Sequence, residues 1–293
     1  MKPSKILVPI DFSPFSDFAA DFAIFLAQKY NAAITLFHVV VMFETEVDEE
    51  DHVKQLEKLV ERKEQSSSEH LEKHQQKLRE KHIKIDSVLL RGVSAADTIL
   101  DYKSQNDFDL IVMGTHGRTG IKNWIYGSVA EKVVRLAKIP VITIHDKRRS
   151  IQIKSILVPV DFSKNSQSGI EEARKIASEF GARITFIHVI EQQLQPAFHV
   201  VGVESVFTAD HNLKGITEEK LKEFCQGKDD SSSIKVLEGS SHQVIADYAS
   251  EIDVDLIVMS TRGYSGIEHL LIGSTTERVV RIAPCPVLTV GRT

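Results

Sequence analysis

The sequence predicts a tandem α/β architecture of two domains. Each is an open, doubly wound, five-stranded parallel sheet with helices on both faces. Three observations carry this expectation. Four blocks of sequence occur twice in the same order. Within each copy, short apolar runs alternate with segments of helical period. A glycine-rich stretch follows the fourth apolar run of the first copy, where an open parallel sheet has its ligand crevice.

The duplication is explicit. Lys5-Ile6-Leu7-Val8-Pro9-Ile10-Asp11-Phe12-Ser13 returns as Ser155-Ile156-Leu157-Val158-Pro159-Val160-Asp161-Phe162-Ser163, at an offset of 150. Ile34–Val39 returns as Ile184–Val189 at the same offset. Asp109–Met113 and Ile139–Ile144 return as Asp255–Met259 and Cys285–Val290, at an offset of 146. A four-residue deletion in the middle of the second copy accounts for the change. The boundary falls near His145 to Ile153, which gives domains 1–146 and 153–293 in a chain of 293 residues. Each half has the usual size of a domain.

The elements follow in order. Ile6–Ile10 is apolar apart from Pro9, as a strand buried on both faces should be. Pro9 belongs at its carboxyl end, where no ladder donor is needed. Asp17–Tyr30 places Phe18, Phe22, Phe25 and Leu26 on one helical stripe. Ile34–Val41 is the second strand. Glu44–His82 is long and charged and reads as one or two solvated helices with a break at Ser66-Ser67-Ser68. Its leucines keep no heptad. Ile83–Leu90 is a strand, Ala95–Ser104 a helix with Ile99 and Leu100 inward, Leu110–Met113 a strand, Val129–Ala137 a helix and Val141–Ile144 the last strand. In the second copy a helix runs from Asp161-Phe162-Ser163 through Ser178. The insertion Glu191–Ser233 is more broken, ending in a loop at Asp229–Ser233.

Composition narrows the function classes. The apolar share of 42% permits a full core in each domain. The net charge of −5, which falls on residues 151–293, gives no reason to expect a nucleic-acid partner. Two cysteines, Cys225 and Cys285, build neither a disulfide framework nor a zinc site and fit a cytoplasmic setting. No apolar stretch approaches membrane-spanning length, so no membrane partner is expected.

The chemistry concentrates at strand ends. Gly114-Thr115-His116-Gly117, nine residues, then Gly127-Ser128 lets backbone approach a ligand and points N–H groups at anionic oxygens. The helix that follows adds its dipole. His116 and Arg118 reach phosphates as donors or are plain loop residues. Asp11, just past strand one, accepts from a ribose hydroxyl or an adenine amine, or else caps the next helix with Ser13. Ser128 with Glu131, and Ser274 with Glu277, have the spacing of capping boxes. His38 and His188 read as satisfied sheet histidines rather than metal ligands, since no ligand cluster accompanies them. Motifs of P-loop NTPases, of dinucleotide-binding turns and of α/β-hydrolase elbows are absent.

Val8-Pro9-Ile10-Asp11-Phe12-Ser13 followed by the G-x-x-G, nine residues, G-[ST] pattern resembles the universal stress protein family in its tandem form, over nearly the whole chain. The resemblance implies a Rossmann-like fold and, in one subgroup of the family, bound ATP, with Mg2+ as its companion ion. By it, Pro9 and Asp11 meet the adenosine end, and Val39 and Met113 line the adenine pocket. Gly114, His116, Gly117, Gly127, Ser128 and Val129 surround ribose and phosphates. The second copy offers Pro159, Asp161, Val189, Met259, Arg262, Gly263, Gly273, Ser274 and Thr275, but has Ser260 in place of the first glycine, a degenerate motif. The resemblance also implies pairing of the two copies through Val141–Ile144 and Val287–Val290 as an internal pseudo-dimer, with a homodimer of whole chains as an extension. The function it implies is that of a cytoplasmic ATP-binding stress sensor or regulator. The alternatives are a nucleotide-independent interaction module and, ranked last, a slow ATPase or autokinase. No catalytic residue or metal site is assigned.

Overall fold

The computed structural model describes residues 2–42, 50–79, 83–115, 127–145, 150–191, 205, 207, 210, 212–225, 232–261 and 272–291, with the side chains of 50–56 and 77–79 left out. The chain divides into two compact units, residues 2–151 and 152–293.

In the first unit the order is β1 (Lys5–Pro9), α1 (Pro14–Tyr30), β2 (Ala33–Val41), α2 (Glu50–Arg79), β3 (Ile85–Gly92), α3 (Ala95–Ser104), β4 (Leu110–Gly114), α4 (Ser128–Leu136) and β5 (Val141–Ile144). The strands lie in the order β3-β2-β1-β4-β5, and all their pairings are parallel. The second unit has β6 (Ser155–Pro159), α5 (Lys164–Phe180), β7 (Arg183–Ile190), α6 (Leu213–Phe224), β8 (Ser233–Glu238), α7 (Ser241–Glu251), β9 (Leu256–Ser260), α8 (Ser274–Ile282) and β10 (Val287–Val290). Its strands lie in the order β8-β7-β6-β9-β10, again parallel. Each unit is therefore an open, doubly wound sheet with helices on both faces. Among the described residues no helix is long and apolar enough to cross a membrane.

The central strands are apolar because both their faces are covered. Ile6, Leu7 and Val8 of β1 and Leu110, Ile111 and Val112 of β4 are fully buried. Pro9 is the last residue of β1, where its missing N–H costs no ladder bond. The inward stripe of α1 is Ala19, Phe22, Ala23, Leu26 and Ala27, the spacing of one helical face. Phe18 and Phe25, placed on that stripe by sequence, sit at its flanks and are half-buried. Leu100 of α3 is likewise half-buried, with Ala96 and Ile99 inward. The small alanines let α1 approach the sheet, which the bulkier stripe would not.

The charged segment is one continuous helix over Glu50–Arg79 and does not break at Ser66-Ser67-Ser68. Ser67 and Leu71 are buried, so this stretch is the face that docks on the domain. Gln75 Nε2 donates to the Ile85 carbonyl at 2.7 Å, and Arg91 of β3 pairs with Glu64 through two bonds of 2.5 and 2.6 Å. In the second unit, Ser233 opens β8 rather than closing a loop.

A carboxylate clasp joins β1 to β4 at their amino ends. Asp109 Oδ2 accepts the N–H of Ser4 (2.7 Å), the hydroxyl of Ser4 (2.7 Å) and the N–H of Lys5 (3.0 Å). Asp255 repeats this on Lys154 and Ser155, at 2.8 to 3.0 Å. Burial opposes ionisation of Asp109, but the bonds from Ser4 and Lys5 and the charge of Lys5 outweigh it and hold the carboxyl below its usual range. Its stabilisation is therefore present above the ordinary aspartate value of 3.8 and fades as pH falls through the lower folded value. Asp109→Ala is expected to lower the unfolding free energy by about 1 kcal/mol at neutral pH. Urea denaturation will read this, and the gap between the two proteins should narrow below about pH 4.

Candidate functional site

The strand order reverses between β1 and β4, and the candidate site lies at their carboxyl ends. Ile10 continues the ladder for one residue, its N–H donating to Phe37 O at 2.8 Å. Asp11 then leaves the sheet. Its Oδ1 accepts the N–H of Ser13 at 3.0 Å, and Ser13 Oγ accepts the N–H of Ser16 at 3.2 Å as the cap of α1. Ser13 is thus the cap and is buried, while Asp11 is half-buried at the crevice. Val39 stands near the carboxyl end of β2, in register with Leu90. Met113 is buried and Gly114 ends β4.

A backbone bond joins the end of β4 to the start of α4. Thr115 N–H and Oγ1 both bond Ile144 O at 3.1 Å, and the N–H of Gly127 donates to Thr115 O at 2.8 Å. Gly127 is the N-cap of α4, with no side-chain cap bond, and Ser128 is the first helical residue, exposed. The capping box read at Ser128 and Glu131 is therefore not formed. The helix starts one residue earlier than that motif requires, and Glu131 N–H bonds Gly127 O as an ordinary helical bond. The pair Ser274 and Glu277 fails for the same reason, with Gly273 as the cap. The outcome leaves the first-turn N–H groups of α4, on Ser128, Val129 and Ala130, without intrahelical acceptors or a side-chain cap.

Two glycines have packing reasons. A Cβ on Gly114 would lie 2.9 Å from the backbone carbonyl carbon of Phe15, so α1 crosses the strand end at glycine distance. A Cβ on Gly127 would meet Thr115 O at 2.7 Å. Neither has a positive φ, so close approach, not left-handed backbone, selects glycine at both positions. Pro9, Asp11, Val39, Met113, Gly114, Gly127, Ser128 and Val129 gather at the carboxyl edge of the sheet and the amino end of α4. His116, Gly117 and Arg118 lie outside the described residues.

The second copy keeps this geometry with its own pattern of polar contacts. Asp161 Oδ1 accepts from Ser163 N–H at 3.0 Å and also from Ser166 Oγ. In the first copy the matching Ser16 hydroxyl donates to Ser13 O instead, at 2.9 Å. Thr261 O receives the Gly273 N–H at 2.7 Å, and Thr276 Oγ1 donates to the carbonyl of Ser260 at 2.9 Å. Alanine, Ala130, stands where Thr276 would be in the first copy. Pro159, Val189, Met259, Ser274 and Thr275 occupy matching places, whereas Arg262 and Gly263 lie outside the described residues.

His38 and His188 are satisfied sheet histidines, as the sequence predicts. Their Nδ1 atoms bond the carbonyls of Ile10 and Val160 at 2.6 and 2.7 Å. Among the described residues, no group of three or more His, Cys, Asp or Glu could hold a metal ion. Phe12 and Phe162, between carboxylate and cap, escaped the site assignment. Their signal was the exact repetition of Asp-Phe-Ser.

The Universal stress protein family model matches residues 3–145 and again 152–291. A universal stress protein of Methanocaldococcus jannaschii is 33% identical over 142 residues, 47% of this chain and 82% of that protein. A putative universal stress protein of Staphylococcus haemolyticus is 31% identical over 142 residues, 47% of this chain and 84% of that one. The crystal structure of a universal stress protein from Archaeoglobus fulgidus superposes with a TM-score of 0.69 at 22% identity, covering 100% of this chain and 97% of that one. The last likeness shows the fold. The chain belongs to the universal stress protein family, as a tandem of two family domains.

Two predictions follow from the packing. Gly114→Ser should destabilise the first domain by about 1–3 kcal/mol through overpacking on Phe15, while Ser260→Gly should cost no more than about 1 kcal/mol; chemical denaturation of each variant checks the pair. Burial lowers the pKa of His188 below 6.5, against the opposing effects of the Val160 carbonyl and Asp161, with the charge of Lys220 adding to the lowering. The unfolded chain then takes its proton first as pH falls, so this stabilisation is complete above 6.5 and is lost toward the folded value. Denaturation midpoints should fall between about pH 7.5 and 5.5, and less so in His188→Gln. Equal pH dependence in both proteins would contradict it.

Proposed function

We propose that the first domain binds an adenine nucleotide, ATP above all, and that the chain serves as a cytoplasmic nucleotide-responsive regulator of the stress response. The observation that supports this most is the pairing of two complementary groups at one sheet edge. The uncapped first turn of α4, carrying the helix's positive end, suits phosphates. The Asp11 carboxylate, held by Ser13 N–H, suits the hydroxyls or amine of the nucleoside. Met113 and Val39 provide the apolar wall. Mg2+ enters only as the ion carried by the nucleotide's phosphates. Pairing of the two copies through their last strands belongs to the same proposal and rests on the resemblance alone.

The second domain is assigned a supporting role. Ser166 and Thr276 direct their hydroxyls to Asp161 and to the Ser260 carbonyl, groups whose counterparts in the first copy face a ligand in this reading. These bonds favour the interaction-module reading for that half.

The test is titration calorimetry on purified, nucleotide-stripped protein. One ATP per chain is expected. Ser128→Asp, which adds a negative charge at the exposed amino end of α4, should weaken ATP at least about tenfold while leaving or raising helix stability. Asp11→Asn should weaken adenosine and ATP alike, and Asp161→Asn neither. Absence of saturable adenine-nucleotide binding in the wild type would remove this reading and favour the nucleotide-independent module.

A further inference from the structure

Phe12 and Phe162 stand between the site carboxylate and the helix cap of their copies, and both have left-handed backbones, with φ of 62° and 61°. A bulky aromatic is strained there and persists only where its surroundings enforce it. The enforcement comes from the same two directions in each copy, through different residues. The Phe12 ring meets His38 of β2 at 4.6 Å between centroids, and His70 and His74 of α2 at 5.4 and 6.0 Å. The Phe162 ring meets His188 of β7 at 4.5 Å, Phe224 of α6 edge-on at 5.5 Å, and Lys220 Nζ of α6 at 4.5 Å. The strand histidine in each copy also holds the carbonyl of the residue just before the carboxylate. Helix α2 is fastened beside the ring by His74 Nε2 and Asp17 Oδ1, 2.9 Å apart, Asp17 being in the first turn of α1.

The left-handed turn at Phe12 brings the N–H of Ser13 back onto Asp11 Oδ1. We propose that Phe12 is a positioning residue for the nucleotide site and that helix α2 is the clamp that holds it. The helix and His38 confine the ring, the ring fixes the turn, and the turn aims the Asp11 carboxylate at the nucleoside. The charged insertion thereby gains a role: its docking sets the affinity of the first domain, and any partner that lifts α2 from Phe12 weakens nucleotide binding. The nucleotide half of this inference rests on the reading given under Proposed function, and the clamp itself rests on the contacts alone.

The experiment uses the full chain and two readouts, hydrogen exchange at the Ser13 amide and ATP titration. The proteins are wild type, Phe12→Gly, Phe12→Tyr, the double variant His70→Ala with His74→Ala, and the three changes combined. Phe12→Gly and the double variant should each speed Ser13 exchange and weaken ATP at least about tenfold, and the combination should be no weaker than either, since all act through one contact. Phe12→Tyr should behave as wild type, and Phe162→Gly should leave the affinity of the first domain unchanged. ATP affinity within about twofold of wild type in Phe12→Gly, or unaltered Ser13 exchange in the double variant, overturns the proposal. A wild type that takes up no adenine nucleotide removes the ligand reading, while Ser13 exchange still decides whether α2 clamps the turn. Should Phe12→Gly fail to fold, the double variant on the partly exposed side of α2 carries the test.

Discussion

Ser4 and Asp109 are 105 residues apart in the chain, and two hydrogen bonds hold them together while a third ties Asp109 to the N–H of Lys5. That clasp fixes the pairing of β1 with β4, and on this pairing the rest of each domain depends. With Ile6 opposite Leu110 and Leu7 opposite Ile111, the two strands run out at the same level. This register sets Gly114 level with Ile10, the residue before Asp11, at the point where the chain connections diverge. The clasp lies at the amino edge and the candidate site at the carboxyl edge. One edge is spent on register, which leaves the other available for chemistry. The second copy keeps the clasp through Asp255, although its candidate site has changed. Register is evidently needed by the fold whether or not a ligand is bound.

Most of this was legible in the sequence. The repeated blocks located every central strand, because strands buried on both faces need continuous apolar residues and tolerate little else. The position of Asp11 and of the glycines followed from where those strands end. Three features were less legible. The capping boxes at Ser128 and Ser274 have the right spacing, yet Gly127 and Gly273 take the cap because their N–H groups are drawn to Thr115 and Thr261. Local pattern lost to a tertiary bond. The serine triplet in α2 looked like a break, but Ser67 is buried and small, which suits a docking face better than a loop. The left-handed Phe12 was the least visible, since nothing in an aromatic residue signals a conformation it ordinarily avoids.

The two copies differ at the candidate site by few changes. Gly114 and Ser260 occupy the same strand end, and the difference is answered locally. In the first copy the backbone of Phe15 fills the space that a Cβ would need. In the second, Thr276, which replaces Ala130, binds the Ser260 carbonyl, while the shared serine, Ser16 or Ser166, turns its hydroxyl to Ser13 O in the first copy and to Asp161 in the second. Polar groups at a ligand crevice need partners whether or not a ligand comes. The second copy supplies part of those partners from its own side chains.

The short bond from Gly127 to Thr115 has a consequence of another kind. It pins together the two ends of residues 116–126, and Gly273 with Thr261 does the same for residues 262–272. The spacing of these flanking residues is therefore set by backbone atoms. Adding or exchanging residues between flanks that are paired in this way costs little in chain entropy. Evolution is thus given a cassette: residues between the pinned ends can be exchanged to suit a new ligand while the scaffold beneath stays as it was.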